Sequence, residues 1–129
     1  MNKKILVVDD EEHIVLVLRK FLEVSGYAVF VASDGKEGFE RVKEVKPDLI
    51  LMDAVMPNQD GYTTVRKIRA LKLEQDSELA TLSAIPIIVM TAQGPHMQDI
   101  FELEGISAYI TKPFKNDEVL DAIRGLLGE

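Results

Sequence analysis

Lys4-Ile-Leu-Val-Val-Asp-Asp-Glu-Glu12 is the stretch that decides how this chain folds. Ile5–Val8 is apolar throughout, rich in β-branched residues, and too short to show a helical period. It therefore reads as a strand buried on both faces, and the acids Asp9 and Asp10 begin where it ends. Similar apolar runs recur downstream. Asp48–Met52 is followed by Asp53, Ile85–Met90 by Thr91, and Ala108–Thr111 by Lys112.

Helical patterns fill the gaps between these runs. Glu11–Ser25 places Ile14, Leu18, Phe21 and Leu22 on one face, and Gly26 suits a left-handed position after the helix end. Tyr27–Ala32 reads as a second strand. Asp34 and Glu37 form a capping box that opens a helix burying Phe39, Val42 and Val45, which Pro47 stops. After the turn-rich Met56–Gly61, a helix from about Tyr62 carries Val65, Ile68 and Leu71. Met97–Glu104 gives a weaker helical pattern, and Asn116–Leu127 a last helix burying Val119, Leu120, Ile123 and Leu127. Leu73–Ala84, polar and acidic, reads either as an extension of the third helix or as a surface loop. Five strands alternating with five helices imply an α/β fold, a single doubly wound parallel sheet with helices on both faces.

Composition narrows the function classes. The chain has 129 residues, 47% hydrophobic and 29% charged, which is ordinary for one globular domain with its own core. It has no cysteine, so neither a disulfide framework nor thiolate chemistry is available. No apolar run reaches the ~18 residues of a membrane span, and Met1-Asn-Lys-Lys4 leads into a strand instead of a signal peptide. These features predict a cytoplasmic protein with no membrane contact. The net charge is −7, with Lys and Arg dispersed among acids, which argues against direct nucleic-acid binding.

The strand ends carry the chemistry. In an open doubly wound sheet, ligands bind outside the carboxyl ends of the strands, so Asp9, Asp10, Asp53, Thr91 and Lys112 face one crevice. Three carboxylates repel one another unless a cation joins them, and a hard divalent ion such as Mg²⁺ suits their oxygens and also accepts phosphate oxygens. Asp53 is the residue best placed as a nucleophile, since a carboxylate can form an aspartyl phosphate. Lys112 offers a point charge and Thr91 a hydroxyl to phosphoryl oxygens. Together they describe a phosphoryl-accepting site.

The pieces "ILVVDDEE", "DLILMDAVMPNQDGY", "IPIIVMTA" and "AYITKPF", in that order, resemble the receiver domains of two-component response regulators, and the resemblance covers essentially the whole chain. It implies one receiver domain over residues 1–129 with the flavodoxin-like strand order 2-1-3-4-5. It also implies that Asp53 is phosphorylated by a histidine kinase or phosphotransfer protein. Asp10 and Asp53 would hold Mg²⁺ directly and Asp9 through water, with the Val55 backbone carbonyl as another ligand. Thr91 and Lys112 would bind the phosphoryl oxygens, Tyr109 would be the switch aromatic whose rotamer follows Thr91, and the Lys112–Pro113 bond would be cis. Such a domain is a signalling module rather than an enzyme, catalysing only its own phosphorylation and dephosphorylation. Its output would leave through the fourth helix, fifth strand and fifth helix, around Phe101, Tyr109 and Asp117–Leu120. A monomer is expected, with phosphorylation-dependent dimerisation through that face.

The chain departs from the family pattern at Ala54 and at Gln59, where a larger apolar residue is common. Val55 and Gln93 occupy variable positions bordering the site. Leu73–Ala84 is longer than usual, and Gly94-Pro95 with the short approach to Gly105 is expected to loosen the fourth helix. Other classes fit less well. Aspartate-nucleophile phosphatases usually separate their first two acids by one residue, whereas Asp9 and Asp10 are adjacent. A flavin site needs a phosphate cradle after the first strand, where this chain has Asp-Asp-Glu-Glu. Scaffold receivers tend to lose a key residue, and all are present here. Whether the receiver stands alone or heads a longer regulator, an end at Leu127-Gly-Glu129 suits either.

Overall fold

The computed structural model describes residues 2–92 and 94–129. Five strands, β1 (Lys4–Val8), β2 (Ala28–Ala32), β3 (Leu49–Asp53), β4 (Ile87–Thr91) and β5 (Ala108–Thr111), form one sheet in the order β2-β1-β3-β4-β5. Every pairing is parallel and in continuous register: Val8 lies beside Met52, Asp53 beside Met90, and Thr91 beside Thr111.

Among the described residues the strands alternate with six α-helices: α1 (Glu12–Val24), α2 (Gly35–Val45), α3 (Gly61–Ala70), α4 (Ser77–Leu82), α5 (Gln98–Leu103) and α6 (Asn116–Leu127). The period-two alternation of side chains explains the two cores. Leu6, Val8, Ile50, Met52, Ile87 and Val89 point to one face, where Val42 of α2, Val65 and Ile68 of α3, Leu82 of α4 and Phe101 of α5 cover them. Ile5, Val7, Leu49, Leu51, Ile88 and Met90 point to the other, against Leu18 and Leu22 of α1 and Val119 and Ile123 of α6. A strand sealed on both sides has no polar face, which is why the runs read as unbroken apolar stretches.

The helix ends follow their sequence signals with one refinement. Asp34 accepts from the Glu37 amide at 2.8 Å, while the Glu37 carboxylate reaches the Ser33 amide at 3.0 Å, one residue further back than a capping box requires. On α2 Val42 is fully buried, whereas Phe39 and Val45 are half-buried. Lys46 closes α2 in a left-handed conformation (φ 53°) just before Pro47.

The acidic stretch after α3 is neither a long extension nor an irregular loop. A 3-10 turn at Leu71–Leu73 ends α3, and Asp76 then caps α4 by accepting from the Glu78 and Leu79 amides. Arg69, at the end of α3, ties this segment down. Its guanidinium donates to the carbonyls of Ser83 (2.8 Å), Ile85 (2.7 Å) and Gly105 (2.8 Å), and its burial lowers its pKa.

Candidate phosphoacceptor and metal site

The parallel sheet brings the predicted residues to one edge. β1 delivers Asp9 and Asp10, β3 ends on Asp53, β4 on Thr91, and Lys112 directly follows β5. Asp9, Asp53 and Thr91 are buried, at 1%, 5% and 1% exposure, while Asp10 is exposed. Asp9, Asp10 and Asp53 each offer an oxygen, and these oxygens all lie within 4.8 Å of one another.

Lys112 sits among these acids. Its ammonium donates to Asp9 Oδ2 at 2.9 Å, Glu11 Oε1 at 3.0 Å and Asp53 Oδ2 at 3.3 Å. The other oxygen of each buried acid is also engaged: Asp9 Oδ1 accepts from the Glu11 amide at 2.9 Å, and Asp53 Oδ1 from the Val55 amide at 3.3 Å. The Lys112 amide donates to the Thr91 carbonyl at 2.8 Å, which fixes the loop carrying the lysine to the end of β4. The Lys112–Pro113 bond is cis.

Burial, followed by the Asp9 charge, pushes the Asp53 carboxyl up to about 6, against the opposing pull of Lys112 and the Val55 amide. Burial alone would lower the Lys112 ammonium, but its bonds to Asp9 and Glu11 and the charges of Asp9 and Asp53 outweigh that and raise it. Asp53 thus has a folded-state pKa above its ordinary 3.8. Its charge costs stability above about pH 6, and that cost vanishes as pH falls below the ordinary value. Asp53→Asn is therefore expected to stabilise the metal-free protein by about 1–2 kcal/mol at slightly alkaline pH, allowing for water at the open side of the crevice. The gain should fade between about pH 6 and pH 4. Urea titrations in EDTA across that range check it, and a gain independent of pH would rule this account out.

The donor set fits a small hard cation. Three carboxylate oxygens within 4.8 Å of one another are the hard, anionic ligands that Mg²⁺ takes, and they leave room for the waters it keeps.

Tyr109 lies half-buried on β5, with its ring 6.2 Å from that of the fully buried Phe101 and its hydroxyl donating to the Gly94 carbonyl at 2.6 Å. It therefore touches the loop leaving β4, three residues past Thr91. Gln93 is outside the described residues, and the Val55 side chain is half-exposed beside the crevice. The sequence reading missed Glu11 as a partner of Lys112, because the two are 101 positions apart and Glu11 reads as a helix-terminus acid. It also missed Tyr62, whose hydroxyl donates to Glu104 at 3.0 Å and whose ring meets Phe101 edge-on at 5.7 Å.

Comparison with known proteins places this architecture. A family model described as the response regulator receiver domain matches residues 5–124. The chain belongs to the response regulator receiver domain family. It is 41% identical over 128 residues to the alkaline phosphatase synthesis transcriptional regulatory protein PhoP of Bacillus subtilis, an alignment covering 98% of this chain and 49% of PhoP. The chain thus spans about half the length of that relative.

Solved structures agree. A CheY-like response regulator receiver domain protein from Methanospirillum hungatei superposes with a TM-score of 0.86 at 27% identity, covering 99% of this chain and 95% of the other. The receiver domain of a sensor histidine kinase from Pseudomonas aeruginosa, solved with a magnesium ion coordinated in its active-site cleft, superposes with a TM-score of 0.84 at 29% identity over all of both chains.

Proposed function

We propose that residues 1–129 act as a cytoplasmic phosphoacceptor module, in which Asp53 takes a phosphoryl group from a histidine kinase or phosphotransfer protein in a Mg²⁺-dependent reaction. The observation that carries this reading is the position of Asp53, a buried carboxylate at a strand end within 4.8 Å of two further acids and bonded to a lysine. Asp9, Asp10, Asp53 and the Val55 carbonyl are the groups that would hold Mg²⁺, as the cleft of the Pseudomonas aeruginosa receiver holds its magnesium ion. When bound, the ion draws negative charge from the transferring phosphoryl group.

The chain's own residues do the rest. One Asp53 oxygen forms the new P–O bond as the bond from phosphorus to the donor's imidazole nitrogen breaks, and the imidazole leaves with the electron pair. The Val55 amide, already on Asp53 Oδ1, leaves Oδ2 as the oxygen facing Lys112. Lys112 and Thr91 then take the phosphoryl oxygens. Movement of Thr91 is passed to Tyr109 through the loop whose Gly94 carbonyl the tyrosine holds. The output leaves by α5, β5 and α6 to a downstream protein, or to a further domain of the kind PhoP's greater length accommodates.

Incubation with Mg²⁺ and acetyl phosphate, followed by intact mass measurement and site mapping, tests the proposal. One labile phosphoryl adduct on Asp53 is expected, absent in Asp53→Ala and suppressed by EDTA. No adduct under conditions that label a control receiver would overturn it.

A further inference from the structure

Glu11 occupies the N-cap position of α1 but makes no side-chain cap bond to that helix. Its carboxylate turns into the crevice and accepts from Lys112 at 3.0 Å, closer than Asp53 at 3.3 Å, while its amide holds Asp9 Oδ1 at 2.9 Å. An ammonium has three N–H donors, and here all three have an acceptor: Asp9, Glu11 and Asp53. Before Lys112 can hold a phosphoryl oxygen it must release one of them.

The three acceptors differ in what release costs. Before transfer, while both are carboxylates, the side chains of Asp9 and Asp53 are 0% and 7% exposed, so a lone charge left on either stays poorly hydrated. That of Glu11 is 55% exposed and returns to water at little cost. Glu11 also lies outside the three-carboxylate group that fits a metal, so neither ion nor phosphoryl group replaces Lys112 as its partner.

Resting on the phosphoacceptor reading above, we infer that Glu11 is a positioning residue that acts through Lys112. It parks the ammonium on the α1 side of the crevice in the resting protein and competes with the incoming phosphoryl group for it. Phosphoryl transfer to Asp53 requires that contact to break, so Glu11 slows the reaction it adjoins.

The test compares Glu11→Gln, which loses the charge, with Glu11→Asp, which keeps the charge but is too short to reach Lys112. Glu12→Gln serves as a control that removes a neighbouring acid. With acetyl phosphate and Mg²⁺ saturating for each variant, both Glu11 variants should be phosphorylated about three- to five-fold faster than the wild type, and Glu12→Gln at the wild-type rate. Acceleration in Glu11→Gln alone, or equally in Glu12→Gln, would make the effect one of net charge and overturn the assignment. Absence of acceleration in both Glu11 variants overturns it as well.

A second readout does not depend on phosphorylation. In the metal-free protein the Lys112 ammonium should give a slowly exchanging heteronuclear NMR signal that exchanges faster in both Glu11 variants, which free one of its three N–H donors. An unchanged exchange rate in either variant would contradict the pairing. Should the wild type accept no phosphoryl group, the phosphoacceptor reading fails and the NMR comparison still decides the role of Glu11.

Discussion

Lys112→Ala is expected to destabilise the metal-free protein by about 2–4 kcal/mol near neutral pH, because it removes the ammonium bonded to two buried carboxylates. The lysine side chain is 8% exposed, and water cannot fully replace it between Asp9 and Asp53. The ammonium itself stays charged across the accessible range, since its pKa is raised from an already basic value. The pH dependence of the loss therefore comes from Asp53. Deprived of Lys112, Asp53 binds its proton more tightly, so its share of the defect should shrink as pH falls toward about 6, where Asp53 takes up its proton in the wild type as well. Added Mg²⁺ should restore much of the loss by neutralising the same two buried carboxylates, Asp9 and Asp53. Urea melts with and without Mg²⁺ measure both effects. A loss below about 1 kcal/mol at every pH would place the cluster with solvated surface pairs of little energetic weight.

Gly61→Ala is expected to cost about 3 kcal/mol or more and to depress phosphorylation of Asp53 in whatever fraction remains folded. Gly61 opens α3 against the backbone of the phosphoacceptor strand. A Cβ there would lie 2.2 Å from the Asp53 carbonyl oxygen and 2.9 Å from the Ala54 Cα. Both are main-chain atoms of a strand end buried on both faces, so neither can yield without moving Asp53. The Gly61 amide also donates to the Ala54 carbonyl at 3.0 Å, which holds the helix start at this separation. Gly125→Ala in α6 is the matched control. Its Cβ meets nothing within 4 Å, and the change should raise stability by about 0.5–1 kcal/mol. Thermal melts of the pair should move in opposite directions, and equal shifts would refute the close-packing argument.

The sheet was legible because each of its inner strands is sealed on both faces, which leaves an uninterrupted apolar run such as Ile5–Val8 or Leu49–Met52. Strand ends were legible for the same reason, since the first polar residue after a sealed run must emerge at the edge. Asp9, Asp53 and Thr91 follow from that rule, Lys112 was placed only as the residue after the half-buried edge strand β5, and the ordering 2-1-3-4-5 came only with the family resemblance. Side-chain reach was not legible. Glu11 meets Lys112, Tyr62 meets Glu104 and Arg69 meets Gly105 across separations of 101, 42 and 36 positions that no local pattern encodes. Helix α4 lay between these cases. Asp76 is a sound start signal, but the six residues of Ser77–Leu82 are too few to display a helical period.

The three carbonyls gathered by Arg69 have a mechanical consequence. They fasten the turn at Gly105, at the foot of α5, to the base of the sheet, while the head of α5 follows the loop that Tyr109 holds near the crevice. A short rigid rod fixed at one end swings about that end, and its travel grows with distance from the pivot. If Thr91 moves on phosphorylation as proposed, its motion would reach α5 as an arc at the head of the helix, with the foot held by Arg69. A partner gripping the head would then feel the full stroke, and one gripping the foot almost none.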